Sequence, residues 1–128
     1  MSKTRVFISF DYDHDLDIKI MLVGQEKHPD TPFEFTDASV KEHLTGDWKE
    51  KVKRRIQNSD QVCVLCGEHT DTASGVNVEV RIAQEVGKPY FLLSGRPGRS
   101  KKPTAARPTD KLYEWTRENL KKLVAGGR

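Results

Sequence analysis

The hydrophobic and polar positions of this chain fall into two alternating rhythms. Short runs rich in β-branched and aromatic residues recur at residues 5–10 (RVFISF), 32–36 (PFEFT), 60–67 (DQVCVLCG) and 90–94 (YFLLS). Each has the length and composition of a β-strand. The first and third are almost wholly apolar, as expected of central strands covered on both faces. In the second, Phe33 and Phe35 alternate with Glu34 behind Pro32, which predicts a more exposed edge strand.

Between the runs the spacing changes to that of a helix. An acidic turn over residues 11–17 (DYDHDLD) leads to a helix carrying Leu16, Ile18, Ile20, Met21 and Val23 and ending near Gly24. Residues 37–46 read as a polar connection, and Asp47 as the N-cap of a helix in which Trp48, Val52 and Ile56 lie four apart. A third helix begins near Gly75, with Val76, Val80, Ala83 and Val86 on one face; Gly87 and Pro89 end it. Residues 96–107 carry Arg96, Arg99, Lys101, Lys102 and Arg107 without an acid and read as an exposed, mobile loop. A last helix over about residues 109–124, capped by Thr109, has Leu112, Trp115, Leu120 and Leu123 on its apolar side.

Strands alternating with helices predict a single three-layer α/β domain over residues 1–128, with helices on both faces of a parallel sheet. Right-handed crossovers with one reversal of winding give a flavodoxin-like strand order, 2-1-3-4. Binding sites in such sheets lie beyond the carboxyl ends of the strands, near the reversal. That rim comprises Ser9, Phe10, Asp11 and Tyr12, then Thr36 and Asp37, then Cys66, Gly67 and Glu68, and finally Ser94.

Glu79 interrupts the pattern. At about 100° per residue it falls inside the apolar arc of the third helix, between Val86 and Ala83. A carboxylate there is costly unless it is paired, hydrogen-bonded or at the edge of a cleft. The helix starts at the rim, so Glu79 can face it. Alternatively it pairs with a neighbour such as Arg81, or a small rotation of the helix brings it to the edge. Asp11 and Asp13 are also explained as acids favouring a helix start, and Ser9 as a hydroxyl serving nearby backbone.

Composition narrows the function. Of 128 residues, 35% are hydrophobic and 32% charged, which predicts a soluble globular domain. No apolar run approaches the roughly 18 residues of a membrane span. The start has no signal-peptide pattern, so a cytoplasmic protein is expected. A net charge of +3 argues against nucleic acid as the partner. The basic face of Lys49, Lys51, Lys53, Arg54 and Arg55 on the second helix is that of an ordinary solvated surface.

Cys63 and Cys66 have C-x-x-C spacing, but in a strand they point to opposite faces about 10 Å apart, beyond the roughly 7 Å reach of a disulfide. With only His69 nearby, no metal site is expected.

A receiver domain would need an aspartate at the end of the third strand, where Cys66 and Gly67 stand. The D-x-D of Asp11 and Asp13 suits a magnesium-dependent phosphatase, yet the fourth strand ends in LLSGRPG without the acids needed to complete its metal site. There is neither a G-x-G-x-x-G nor a P-loop to cradle phosphates.

Four segments, RVFISFDYDHD, FEFTDASVKE, WKEKVKRRIQNSDQVCVLCGEHT and SGVNVEVRIAQEVGKPYFLL, together resemble the TIR-like domain family. These are stand-alone bacterial and archaeal relatives of Toll/interleukin-1 receptor domains. The likeness is collinear over most of residues 5–94 and is strongest to the signal-producing TIR-like proteins of the Thoeris anti-phage defence system.

The resemblance implies an enzyme that cleaves the nicotinamide–ribose bond of NAD, with NAD as substrate and no permanently bound cofactor. Its product would be ADP-ribose or a cyclic ADP-ribose-type signal that activates a separate effector protein. It implies Glu79 as the catalytic residue, at the position of the family's essential glutamate. Ser9, Phe10, Asp11, Tyr12, Asp37, Gly67 and Thr70 are the expected substrate-binding positions around it. Assembly into a homo-oligomer on activation is also implied. Where many members carry aromatic residues, one turn before the glutamate and immediately before it, this chain has Gly75 and Val78. A non-catalytic interaction module, using the basic helix face and the 96–107 loop, is the other reading of the same resemblance.

Overall fold

The computed structural model describes residues 4–26, 31, 33–39 and 47–126. The elements in chain order are β1 (Thr4–Phe10), α1 (Tyr12–Glu26), β2 (Phe33–Ala38), α2 (Trp48–Gln57), β3 (Gln61–Cys66), α3 (Ser74–Glu85), β4 (Tyr90–Ser94), β5 (Leu112–Glu114) and α4 (Arg117–Val124); one 3-10 turn (Thr70–Thr72) precedes α3. The strands form one parallel sheet in the order β2-β1-β3-β4-β5. This is the expected flavodoxin-like sheet with a fifth strand added at its far edge.

The period of two along each strand assigns side chains to two cores. Val6, Ile8 and Phe10 of β1, with Cys63 and Leu65 of β3, face Ile18 and Leu22 of α1 and Leu120 and Leu123 of α4. Phe7, with Val62, Val64 and Cys66 of β3, faces Val52 and Ile56 of α2 and Val76, Val80 and Ala83 of α3. All six residues of β3 are buried, as its position in the middle of the sheet requires. Burying each Val or Leu there stabilises the fold by about 1.5–3 kcal/mol. Cys63 and Cys66 are divided between the two cores, and neither is in a disulfide.

One irregularity matters for the site. The β1–β2 register shifts between Val6 and Phe7: Val6 pairs with Phe35, but Phe7 pairs with Asp37. The extra residue in β2 is a β-bulge, and it reverses the parity of the strand. Phe33, Phe35 and Ala38 therefore all pack on the α1 side. Ser39 is then turned to the α3 side; its N–H donates to the Ile8 carbonyl at 2.8 Å.

Several boundaries differ from the sequence reading. α1 starts at Tyr12, inside the acidic turn, and absorbs it with a non-helical backbone at Asp15 (φ −120°, ψ 17°). β2 continues to Ala38 and takes in two residues expected in the following connection. The rest of that connection, residues 40–46, lies outside the described residues. Asp47 precedes α2 but makes no capping bond; its carboxylate lies 3.3 Å from Lys51 Nζ.

Leu112 belongs to β5, and α4 begins only at Arg117. Its cap is Thr116, whose hydroxyl accepts from Asn119 N at 3.0 Å, and not Thr109. The loop after β4, expected to be mobile, is fastened to the body. Ser100 Oγ donates to the Cys66 carbonyl at 3.0 Å, and Lys101 N to that of Gly67 at 3.0 Å. Ala105 N donates to Asn77 Oδ1 at 2.7 Å.

Candidate active site

The α3 helix is built as expected: it ends at Glu85, and Gly87 has a left-handed φ of 71°. Glu79 is 1% exposed on its inner face. Alternation along β1 places Ser9 on the same side of the sheet as Phe7, directly below α3. Ser9 is fully buried, and its hydroxyl donates to Glu79 Oε1 at 2.7 Å. From the other side Ser39 Oγ, aimed there by the bulge, donates to the same oxygen at 2.6 Å. The backbone N–H of Phe10 donates in turn to Ser39 Oγ at 3.1 Å. Glu79 is thus held from two strands, and the alternative of a bridge to Arg81 does not arise: Arg81 is exposed and makes no ion pair among the described residues.

Above Glu79 opens a cleft of about 230 Å³. Phe10, Asp11, Tyr12, Asp13 and His14 form one wall. Ser39, His69 and residues 72–76 complete the lining of the cleft. This is the rim beyond the carboxyl ends of β1 and β3, where the topology places a ligand site. The Phe10 and Tyr12 rings lie 5.6 Å apart. Asp11 Oδ2 is 2.6 Å from His14 Nδ1, and Asp11 Oδ1 accepts from Asp13 N at 3.2 Å. The His14 ring packs on that of His69, with centroids 4.1 Å apart. The hydrogen bond that His14 makes to the Asp11 carboxylate raises the pKa of His14 above the usual histidine value, against a smaller opposing effect of desolvation.

Of the expected site residues, Phe10, Asp11, Tyr12 and Glu79 line the cleft, and Ser9 supports Glu79 from beneath. Asp37 lies in β2 opposite Phe7, and its side chain is outside the described part. Gly67 and Thr70 do not line the cleft. Thr70 is fully buried, and its hydroxyl accepts from Gly67 N at 2.7 Å, closing the turn after β3. Gly67 itself packs against the Asp15 carboxylate, where a Cβ would overlap both oxygens. Among the described residues no group of three or more His, Cys, Asp or Glu could hold a metal ion.

Sequence reasoning missed Ser39, His14 and His69. His14 follows Asp11 at the i+3 spacing that lets two side chains meet on a helix, a legible signal. Ser39 had none, because its direction depends on the bulge.

Beside the cleft, Asp15 is buried and Arg96 reaches across to it, Nε to Oδ1 at 3.3 Å. Arg96 Nη2 donates to Asp17 Oδ1 at 2.7 Å and to the His14 carbonyl at 3.1 Å. Burial pushes the Asp15 pKa up, and the Arg96 charge opposes this. For Asp17 the hydrogen bond from Arg96 dominates and lowers the pKa. Arg96 thereby pins the start of the basic loop to the wall of the cleft.

Comparison with known families adds a decisive match. Residues 7–96 match the family described as Thoeris protein ThsB, TIR-like domain. The chain belongs to the ThsB TIR-like family. The match runs from β1 through β4 to Arg96 and so includes Glu79, its two serines and the whole cleft; β5 and α4 lie beyond it. No curated protein matches the chain. TIR-like domains are broadly linked to NAD-related activity, and this one is a Thoeris-type defence protein by family. Among the described residues no helix is long and apolar enough to cross a membrane.

Proposed function

We propose that this TIR-like protein cleaves the nicotinamide–ribose bond of NAD and releases an ADP-ribose-type signal, linear or cyclic, that acts on a separate effector. The observation that carries this reading is Glu79: a carboxylate fixed by Ser9 and Ser39 at the base of a cleft on the ligand-binding rim.

The chemistry suits that arrangement. Breaking the N-glycosidic bond develops positive charge on the ribose, as in glycoside hydrolysis. The bonding pair passes to the pyridinium nitrogen, so nicotinamide departs neutral and needs no strong general acid. One preorganised carboxylate can then stabilise the ribosyl cation and hydrogen-bond its hydroxyls. Tyr12, half-buried on the lining of the cleft, offers a ring to nicotinamide, and the buried Phe10 ring lies 5.6 Å from it. The cleft is smaller than the roughly 300–1,000 Å³ typical of sites that enclose a whole ligand. It suits the nicotinamide riboside end and leaves the remainder of the dinucleotide at the surface. Completion of that outer part by a second subunit fits the assembly expected of the family.

The deciding experiment incubates the protein with NAD, alone and with activating partners, and resolves the nucleotide products. Glu79→Gln is expected to lower turnover at least about 100-fold, the scale for loss of one electrostatic stabiliser. Full activity in Glu79→Gln, or intact NAD under every activating condition, would exclude the proposal.

A non-catalytic interaction module is the second reading. It draws on Ile20 and Met21, which are 60% and 61% exposed on α1. It predicts a partner captured equally by wild type and Glu79→Gln, without nucleotide turnover.

A further inference from the structure

We propose that His14, oriented by Asp11, is the base that takes the proton from the water or hydroxyl replacing nicotinamide at the ribose. The inference rests on the NAD-cleaving reading and adds a residue for its second half. Glu79 answers the charge of the departing step, but it does not by itself explain how the incoming oxygen loses its proton.

Asp11 directly follows the last residue of β1, so the sheet fixes its position. Its side chain is only 10% exposed, and both oxygens are engaged, one with His14 and one with Asp13 N. A carboxylate on Nδ1 directs the imidazole proton to that nitrogen and leaves Nε2 with a lone pair. The same division of labour orients the histidine of hydrolytic triads. The His69 ring, packed against His14, limits rotation from the other side.

Half of the His14 side chain is exposed, so a proton taken from the cleft can pass on to solvent. His14 and Glu79 both line one cleft, so a substrate bound there has a base and a cation stabiliser within the same site. The titratable and charged groups around His14 are Asp11, Asp13 and Asp15 from its own segment, Glu68 and His69 after β3, and Arg96, whose guanidinium meets the His14 carbonyl.

The step balances. The bond from ribose C1′ to nitrogen breaks, with its electrons neutralising the pyridinium. A bond from C1′ to the incoming oxygen forms. The proton of that oxygen goes to His14 Nε2, and the imidazolium is held by Asp11 until it releases the proton to water.

The alternative is that Asp11 and His14 merely clasp the start of α1. Steady-state kinetics with NAD across pH 5–9 (a range chosen to span about 6.5, the ordinary histidine value) separates the two. With His14→Gln, kcat is expected to fall about 100-fold or more, with KM little changed and the acid limb of the profile lost. With Asp11→Asn, that limb should move to lower pH, because the histidine loses the carboxylate that favours its charged form. A structural clasp would alter neither limb. Turnover that needs Glu79 but keeps the wild-type kcat and pH profile in His14→Gln overturns this inference alone. Absence of any NAD cleavage by the activated wild type overturns it together with the reading it rests on.

Discussion

Ser9 and Glu79 stand 70 residues apart in sequence and share a buried hydrogen bond of 2.7 Å. The bond joins β1 to the helix above it, and Ser39, directly after the edge strand β2, completes it. Both hydroxyls meet a single carboxylate oxygen, so their contributions are coupled. Ser9→Ala or Ser39→Ala alone should cost about 1–3 kcal/mol, the scale for a buried acceptor losing a donor. The double variant should depart from the sum of the two. Urea unfolding at constant m-value reads the stability terms, and NAD turnover should fall in all three variants.

Gly67 depends on having no side chain. The Asp15 carboxylate occupies the space where its Cβ would be, and Gly67's own N–H is tied to the Thr70 hydroxyl, so the glycine cannot shift without disturbing that turn. Gly67→Ala should destabilise the protein by about 1–3 kcal/mol through overpacking. The penalty should shrink in an Asp15→Ala background, which a double-mutant cycle by denaturant unfolding would show.

How much of this was legible in the sequence follows from how local each determinant is. β3 and β4 announced themselves because a buried strand needs only a short apolar run between turn residues. Glu79 was legible because one carboxylate breaks a helical stripe. β5 was not: LYE is three residues long, and it is a strand only because β4 offers a free edge. In α1 the run IKIMLV hides its own period. Ile18 and Leu22 are buried while Ile20 and Met21 are exposed, a choice made by the packing of the helix and by its irregular backbone at Asp15. Ser39 was invisible because a bulge elsewhere in β2 sets its direction. Asp15 looked like one more helix-start acid, whereas its burial depends on Arg96, 81 positions away.

The Asp15–Arg96 pair should make stability depend on pH in a defined direction. Burial raises the Asp15 pKa in the folded protein, and Arg96 restrains the rise. A raised folded pKa favours folding most below the unfolded value of about 3.9 and loses that contribution as pH rises through the folded pKa. Arg96→Ala removes the restraint and leaves a carboxylate buried without its cation. The loss near neutral pH should be about 3–5 kcal/mol, the scale for breaking a buried ion pair from one side. It should diminish on acidification, as Asp15 takes up a proton. Paired urea titrations of wild type and variant, near neutrality and just above the ordinary carboxylate range, test both the size and the sign.

Cys66 should be chemically silent in the native protein. Burial, with a smaller effect of the nearby Asp15, pushes its thiol up to about 12, so the reactive thiolate is absent near neutral pH. Cys63 is equally buried, in the opposite core. Neither thiol should react with a maleimide until the chain unfolds, and both should then react together. Rapid labelling of native protein at either position, read by mass spectrometry, would contradict this.

Gly75 offers a test of how the cleft recognises a ring. It lines the same cleft as Tyr12, and a Cβ placed there would meet nothing within 4 Å. Many TIR-like domains resemble one another in carrying an aromatic residue at this position, one turn before the glutamate. Gly75→Tyr should therefore fold without strain. It should also relieve the conformational cost of a helical glycine, about 1 kcal/mol relative to alanine and somewhat less for tyrosine. A second ring in the cleft that Tyr12 lines would add contact area for nicotinamide, so KM for NAD should fall by several-fold. An unchanged KM in a variant that is as stable as the wild type would mean that nicotinamide does not bind against position 75.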